Sequence, residues 1–389
     1  MSTAPRKVIV VGAGIVGVMV AERLAAAGAS VTVVDAGGIA GGTTGITFSQ
    51  ANASYSGYWN YFDLRWAGMR AYERMGREGN APWWHNVGTL NVARTGDDFA
   101  AQDAHVERLA ALGYPAERLV GDATAVEPAF ASFASQRIYH FPGEGWVDAP
   151  AMARDFADRG ARGGVEFRTN DGVIEIHRTG RTVTGVRLAS GARLASDELI
   201  VCGGRWTDEI LRLTGEESHF VATTEAAGTP VPGLLVVTEP LEGSVRQVAS
   251  VDDISYRPHD GGRTMVWSPT EDYLIGAQGG LHVDPETADR IGRELLERSA
   301  EFVPALRTTR MESALVTARA MPVDGSPIVG RPFGLDGCYV ALAHAAVTIA
   351  PALADLVVSE TLHDHDEESL ARFRPDRIDA AASSILTTE

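Results

Sequence analysis

The chain holds a single lysine, Lys7; every other side chain of fixed positive charge is an arginine. That scarcity excludes chemistry built on a lysine amine, including a pyridoxal Schiff base or the lysine of a phosphate-binding P-loop. Cysteine is almost as rare: Cys202 and Cys338 both sit in apolar, strand-like runs, which suits a reducing cytoplasm and not a disulfide framework. Positive charge is in deficit overall, and a net charge of -17 argues against nucleic acid or an anionic membrane surface as a partner. The seven residues from Met1 to Lys7 reach the first strand too soon for a signal peptide, so a cytoplasmic location is expected. The long apolar run from Cys338 to Val358 is broken by His344, Pro351 and Asp355. It is expected to divide into a strand and a short helix in the core, with no membrane span.

What is present is organised around residues 8 to 52. Val8 to Val11 form an apolar run typical of a strand buried on both faces of a parallel sheet. Gly12, Gly14 and Gly17 follow in G-x-G-x-x-G spacing at the start of a helix that Gly28 closes. A second strand, Val31 to Val34, ends in Asp35. Each residue type has a physical task. Gly12 permits the tight turn, Gly14 lets a pyrophosphate approach the backbone, and Gly17 lets helix and strand pack closely. The helix start, with Ile15 and Val16, offers unpaired N–H groups to phosphate, and Asp35, followed by Ala36, is spaced to accept hydrogen bonds from a ribose. The competing reading is a strand–helix–strand unit whose glycines serve packing alone.

Beyond Asp35 the segment Gly41-Gly42-Thr43-Thr44-Gly45, running on to Asn52, is small and hydroxyl-rich. Here the chain resembles the FAD-dependent amino-acid and amine oxidases, the superfamily of D-amino acid oxidase, glycine oxidase and sarcosine oxidase. The resemblance implies a mixed α/β architecture in which a Rossmann-like FAD-binding domain is interleaved with a mixed-sheet substrate domain. On that pattern residues 1–80, 141–219 and 313–389 belong to the FAD-binding domain, and 81–140 and 220–312 to the substrate domain. It also implies that Thr43, Thr44 and Asn52 lie along the cofactor, that the backbone of Val173 meets the adenine, and that Cys202, Gly203, Gly204 and Trp206 lie near the flavin phosphates and ring edge. Non-covalent FAD is expected, since Val316 stands nearest the position of the flavin-linking cysteine of the sarcosine oxidases. The lysine that activates oxygen in that branch has no counterpart.

Two later stretches carry the expected chemistry. Thr317 to Gly330 resembles the family's Arg-Pro-x-x-x-Asp-Gly-x-Pro-x-x-Gly motif, with Arg319 in the place of the arginine that grips a substrate carboxylate and Ala320 replacing proline. A planar guanidinium suits that task, because it can hold a carboxylate bidentately; the competing reading pairs Arg319 with a structural carboxylate. Tyr339 to Pro351 resembles a strand-His-Ser-Gly-Val-Thr segment whose helix start faces the flavin ring. It contributes His344, Ala345, Ala346, Val347 and Thr348, with alanines where relatives often carry serine and glycine. His344 is either a satisfied core histidine or a proton-handling group. Tyr256 and Arg257 fall in a strand that the resemblance carries over the flavin, Arg257 as a second cation for carboxylate or oxygen. Tyr55, Tyr58, Trp59, Trp83, Trp84 and His85 are cage candidates, though aromatics at that density more often belong to a core. His363-Asp364-His365-Asp366 reads as a solvated turn, and no metal is expected.

The expected function is oxidation of the C–N bond of an amino acid or secondary amine carrying a carboxylate, by hydride transfer to flavin N5. An imine results, and electrons pass to oxygen or another acceptor. Two alternatives stay open: a flavoenzyme of the same fold acting on a 2-hydroxy acid, with His344 as base, and a flavin-binding protein with little catalysis.

Overall fold

The computed structural model describes residues 4–94, 99–132 and 136–378, apart from the Tyr58 side chain. Its first layer is a six-stranded sheet in the order Ile328–Gly330, Cys338–Leu342, Glu198–Val201, Lys7–Val11, Ser30–Val34, Glu166–Arg168. All pairings are parallel except that of the Ile328–Gly330 edge strand. The central strands are buried on both faces, with Val8, Val10, Ile200 and Val201 at 1% exposure or less, which is why their sequences are unbroken apolar runs. One face carries the helices Ile15–Ala26, Ala149–Arg162 and Ala346–His363. The three-stranded antiparallel sheet Val173–Thr179, Thr182–Leu188 and Arg193–Ala195 packs its Ile176, Val183 and Val186 with Ile9 and Leu199 on the other.

The second layer is an eight-stranded sheet in the order Met311–Ala318, Pro232–Thr238, Arg263–Trp267, Ile254–His259, Val248–Val251, Thr89–Ala93, Arg137–Phe141, Glu117–Leu119. It is antiparallel except where Val248–Val251 runs parallel to Thr89–Ala93. Helix Pro285–Ser299 buries Ile291, Leu295 and Leu296 beside Leu234, Val236 and Tyr256 of this sheet. The chain therefore enters and leaves each layer more than once. Met311–Ala318 pairs along its length with Pro232–Thr238, so the last departure from the eight-stranded sheet comes at Ala318 and not at the expected 312.

Local expectations hold at several termini. Asp148 caps the Ala149–Arg162 helix, its side chain accepting from Ala151 N at 2.9 Å, with Pro150 in the first turn. Gly28 stands just past the first helix with φ +92°, in the left-handed region that closes helices. One expectation needs correction: the helix after Cys338–Leu342 is not short. It runs 18 residues, Ala346–His363, with Pro351 inside it and Arg23 donating to the Pro351 carbonyl. It is long and apolar enough to span a membrane by composition, yet it packs between the first helix and Phe62–Arg77.

Candidate active site

One cavity of about 910 Å³ runs from the glycine loop to the eight-stranded sheet. Val34, Asp35, Ala36, Gly172 and Val173 line it, with Gly12, Gly14, Ile15, Val16, Thr43 and Thr44 of the glycine loop and the segment after Asp35. Cys202, Gly203, Gly204 and Trp206 line it too, as do Asn52, Arg319, His344, Ala345, Ala346, Val347 and Thr348. The volume lies in the upper part of the usual range for ligand sites, about 300–1,000 Å³.

The glycine loop is folded for close approach. An added Cβ at Gly12 would lie 2.3 Å from the Cys202 carbonyl oxygen, and one at Gly17 would lie 1.9 Å from the Gly12 carbonyl oxygen. Gly17 thus serves helix–strand packing and does not line the cavity. Asp35 accepts from Ala13 N and Gly37 N, each at 2.7 Å, so the acid at the end of the second strand also ties the loops together. Thr44 Oγ1 accepts from Ile15 N at 3.1 Å, and the Thr43 hydroxyl donates to the Ala318 carbonyl at 2.7 Å.

In the cavity wall, the helix Ala346–His363 is preceded by Ala345 at its N-cap, whose φ of 48° and ψ of 25° are left-handed. A side chain with a Cβ is strained there, by about 1–2 kcal/mol. No side chain caps this start, so its first N–H groups and the positive end of the helix dipole lie along the cavity wall. His344 precedes it, part-buried in the cavity wall, and its imidazole is pushed down to about 3 by burial first and then by the charges of Arg319 and Arg65. Arg65 lines the same region and donates to the Asn52 side-chain oxygen.

Arg319 is 14% exposed and held from several sides. Nη1 donates to the carbonyls of Pro230 at 2.9 Å and Pro232 at 3.0 Å, and Nη2 donates to Asp272 Oδ2 at 2.5 Å. Asp272 has no exposed surface; it also accepts from Leu234 N and from Trp267 Nε1, both at 2.6 Å. Burial pushes its carboxyl up, against the pull of Arg319 and the two N–H donors. The sequence pattern points to Arg319 but not to Asp272, which in Ser268-Pro269-Thr270-Glu271-Asp272 carries only the signal of an acid in a helix first turn. Ile46, Phe48, Leu235 and Trp267, which also line the cavity, are equally unmarked in the sequence.

Two expected catalytic residues stand elsewhere. Tyr256 is fully buried on the opposite face of the eight-stranded sheet, against Phe130 and the Ser299 carbonyl, because adjacent strand residues point to opposite faces. Its neighbour Arg257 faces the cavity side but lies behind Phe48, with its guanidinium 4.4 Å from the Trp146 ring centroid. Burial pushes Arg257 down to about 9, opposed by Asp148 and Asp260. Among the described aromatic cage candidates Tyr55 alone lines the cavity. Trp83 and Trp84 pack on Tyr72, Trp59 packs on His105, and His85 stacks on Trp146; the Tyr58 side chain lies outside the described residues. Asp364, in the histidine–aspartate run, pairs with Arg6 and Arg331.

Comparison with known proteins places this geometry. Residues 7–360 match the protein family described as FAD dependent oxidoreductase. A glycine oxidase of Pseudomonas aeruginosa is 24% identical over 369 residues, covering 90% of this chain and 94% of that one. A D-amino acid dehydrogenase of Methylobacterium nodulans is 28% identical over 302 residues, covering 74% and 67%. Among solved structures, glycine oxidase from Bacillus cereus superposes with a TM-score of 0.77 at 19% identity, covering 95% of this chain and 98% of that one. L-proline dehydrogenase from P. horikoshii superposes with 0.81 at 17%, covering 97% and 99%.

Proposed function

The chain belongs to the FAD dependent oxidoreductase family, and from that premise we propose that it oxidises the C–N bond of a small amine bearing a carboxylate, an amino acid or its N-substituted form. The observation that carries this reading is that a single cavity joins the Gly12–Gly14 loop and Asp35 to Arg319. The residues present fit FAD. Gly12, Gly14, Ile15 and Val16 would hold the pyrophosphate, Asp35 and Ala36 the ribose, Val173 the adenine, and Thr43, Thr44, Asn52 and Cys202 to Trp206 the remainder. The cavity contains no lysine, its one thiol, Cys202, is pushed up to about 12 by burial, and binding without a covalent link is the consistent reading.

FAD, when bound, supplies the acceptor for a hydride and passes the electrons on to oxygen or another acceptor. The chain's own residues supply position and field. A guanidinium has five N–H donors, and three of those of Arg319 are placed on Pro230, Pro232 and Asp272. Nε and the second hydrogen of Nη2 remain, and that edge can receive a planar carboxylate bidentately. Holding the carboxylate at one point fixes the carbon that bears the amine, and orientation of that kind lowers the barrier by removing motional freedom in advance. The uncapped helix start at Ala346 favours negative charge developing beside it. Burial and the charges of Arg319 and Arg65 disfavour the imidazolium of His344, so it adds little competing positive charge. A substrate amine that binds neutral needs no strong base. A cytoplasmic location agrees with the two buried, free cysteines.

The test is the visible spectrum of the purified protein, followed by anaerobic addition of D-amino acids, glycine and N-methyl amino acids. Bleaching of an oxidised flavin by one of these is expected. Flavin that bleaches with 2-hydroxy acids but with no amine would transfer the reading to C–O oxidation. Bleaching undiminished in Arg319→Ala would remove the carboxylate role.

A further inference from the structure

The acid that faces Arg319 is part of the protein. Asp272 belongs to the helix Pro269–Ala277, which lies against the strand Pro232–Thr238, and its carboxylate has no exposed surface. Its three donors come from separate elements: Leu234 N, Trp267 Nε1 and Arg319 Nη2. Two of those donors, Trp267 and Arg319, line the cavity, and the Arg319 guanidinium carbon is 5.7 Å from the Trp267 ring centroid. Among the described residues Asp272 is the ion-pair partner of Arg319. Arg319 therefore meets an arriving ligand with its charge already countered, while the edge formed by Nε and Nη2 is still available for hydrogen bonding.

Resting on the carboxylate reading above, we propose that Asp272 sets the affinity of this site: it is a resident competitor for the charge of Arg319, so that a substrate carboxylate is recognised by its shape and hydrogen bonds more than by its charge. The physical argument is one of sharing. A buried cation without a counter-ion is costly, and a ligand that supplies the missing charge recovers that cost on binding. Where the counter-ion is built in, the ligand recovers little, and its own charge is repelled by the acid behind the guanidinium. The same arrangement lets the product, which keeps the carboxylate, leave without stripping a charge from an otherwise unpaired arginine.

The experiment titrates the flavin-loaded protein with propionate, which has the carboxylate and no amine, and with its neutral isostere propionamide. Binding is read from the perturbation of the visible flavin spectrum and from the shift in unfolding midpoint. In the wild type, propionate is expected to bind no more than about tenfold better than propionamide; a preference above about a hundredfold, the scale of an unpaired buried cation, overturns the proposal. In Asp272→Asn the unliganded protein is expected to unfold at lower temperature, and propionate to bind at least about tenfold tighter and raise the midpoint more than in the wild type, with propionamide unchanged. A folded Asp272→Asn protein that binds propionate equally or more weakly overturns it. The wild-type ratio stands as the test if the variant does not fold. Reduction of the same sample by an amino acid reports separately on the amine reading, so either idea can fail alone.

Discussion

The carbonyl oxygen of Cys202 lies 2.3 Å from where a Cβ on Gly12 would sit. The chain just past two central strands of the six-stranded sheet thus comes together in the cavity wall with no room for a side chain, and Gly12 has a φ of +113° that an L residue rarely adopts. Gly12→Ala is expected to destabilise the protein by about 2–5 kcal/mol, from backbone strain and overpacking together, and to lose bound flavin. Gly28→Ala is the control: its φ is also positive, but nothing lies within 4 Å of the added Cβ. It should cost about 1 kcal/mol and keep the flavin. Thermal unfolding and the ratio of flavin to protein absorbance read both.

Asp35 is expected to act on stability as well as on any ribose. Its two oxygens hold Ala13 N and Gly37 N at 2.7 Å, so Asp35→Ala leaves both loops without their acceptor even in the flavin-free protein. A loss of about 3–6 kcal/mol is expected, since hydrogen bonds to a charged group are worth about 1.5–3 kcal/mol each and two are lost. Denaturant unfolding of the apoprotein measures it. An unchanged midpoint would mean that the acid matters only to the cofactor.

The first layer is legible in the sequence because each of its signals is local. The four-residue apolar strand, the glycine spacing, the acid at the end of the next strand and the Asp148 cap each sit within a few residues of what they control. Cavity-lining positions in the glycine loop follow from the same local patterns, whereas those from His344 to Thr348 come from the family resemblance alone. The wall made by Ile46, Phe48, Leu235, Trp267 and Arg319 is not legible as a unit, because four separate segments build it. Asp272 is 47 residues from Arg319 along the chain, and nothing near it marks a buried acid. Tyr256 and Arg257 show the limit most plainly. Both fall in the strand Ile254–His259, no residue of which lines the cavity, and which of two adjacent residues faces which side of the sheet depends on the sheet's placement, which one register decides.

Ala345 carries a strain that a single substitution removes. It opens an 18-residue helix in the left-handed region, where alanine costs about 1–2 kcal/mol relative to a residue without a Cβ. Glycine loses more freedom on folding, about 0.5–1 kcal/mol, which offsets part of the gain. Ala345→Gly is expected to stabilise the protein by about 0.5–1 kcal/mol net. Ala346→Gly, one residue further on and just inside the helix, is the control: there the backbone is helical, and glycine should destabilise by about 1 kcal/mol. Unfolding midpoints of the two variants moving in opposite directions would establish the strain; both falling would refute it.

His344 gives a prediction whose sign depends on where its proton is lost. Burial, Arg319 and Arg65 push the imidazole from its ordinary value near 6.5 down to about 3. The unfolded chain therefore takes up a proton on this residue below about pH 6.5 while the folded chain does not, and folding stability falls as pH drops from there towards 3. Above pH 6.5 both states are neutral at this position and it adds no slope. The expected slope from this one group is about 1.4 kcal/mol per pH unit through the middle of that window. Other acids and bases contribute to the total, so the measurement is a difference: denaturant unfolding from pH 4 to 7 for the wild type and His344→Gln, with the variant flatter. The same depression bears on chemistry. A base that takes a proton from a hydroxyl works best with a pKa near the operating pH, and an imidazole held near 3 is far from it. The pH profile of flavin reduction should therefore show no ionisation between 5 and 8 that disappears in His344→Gln. If one does disappear, His344 handles a proton during turnover and the hydroxy-acid alternative regains its base.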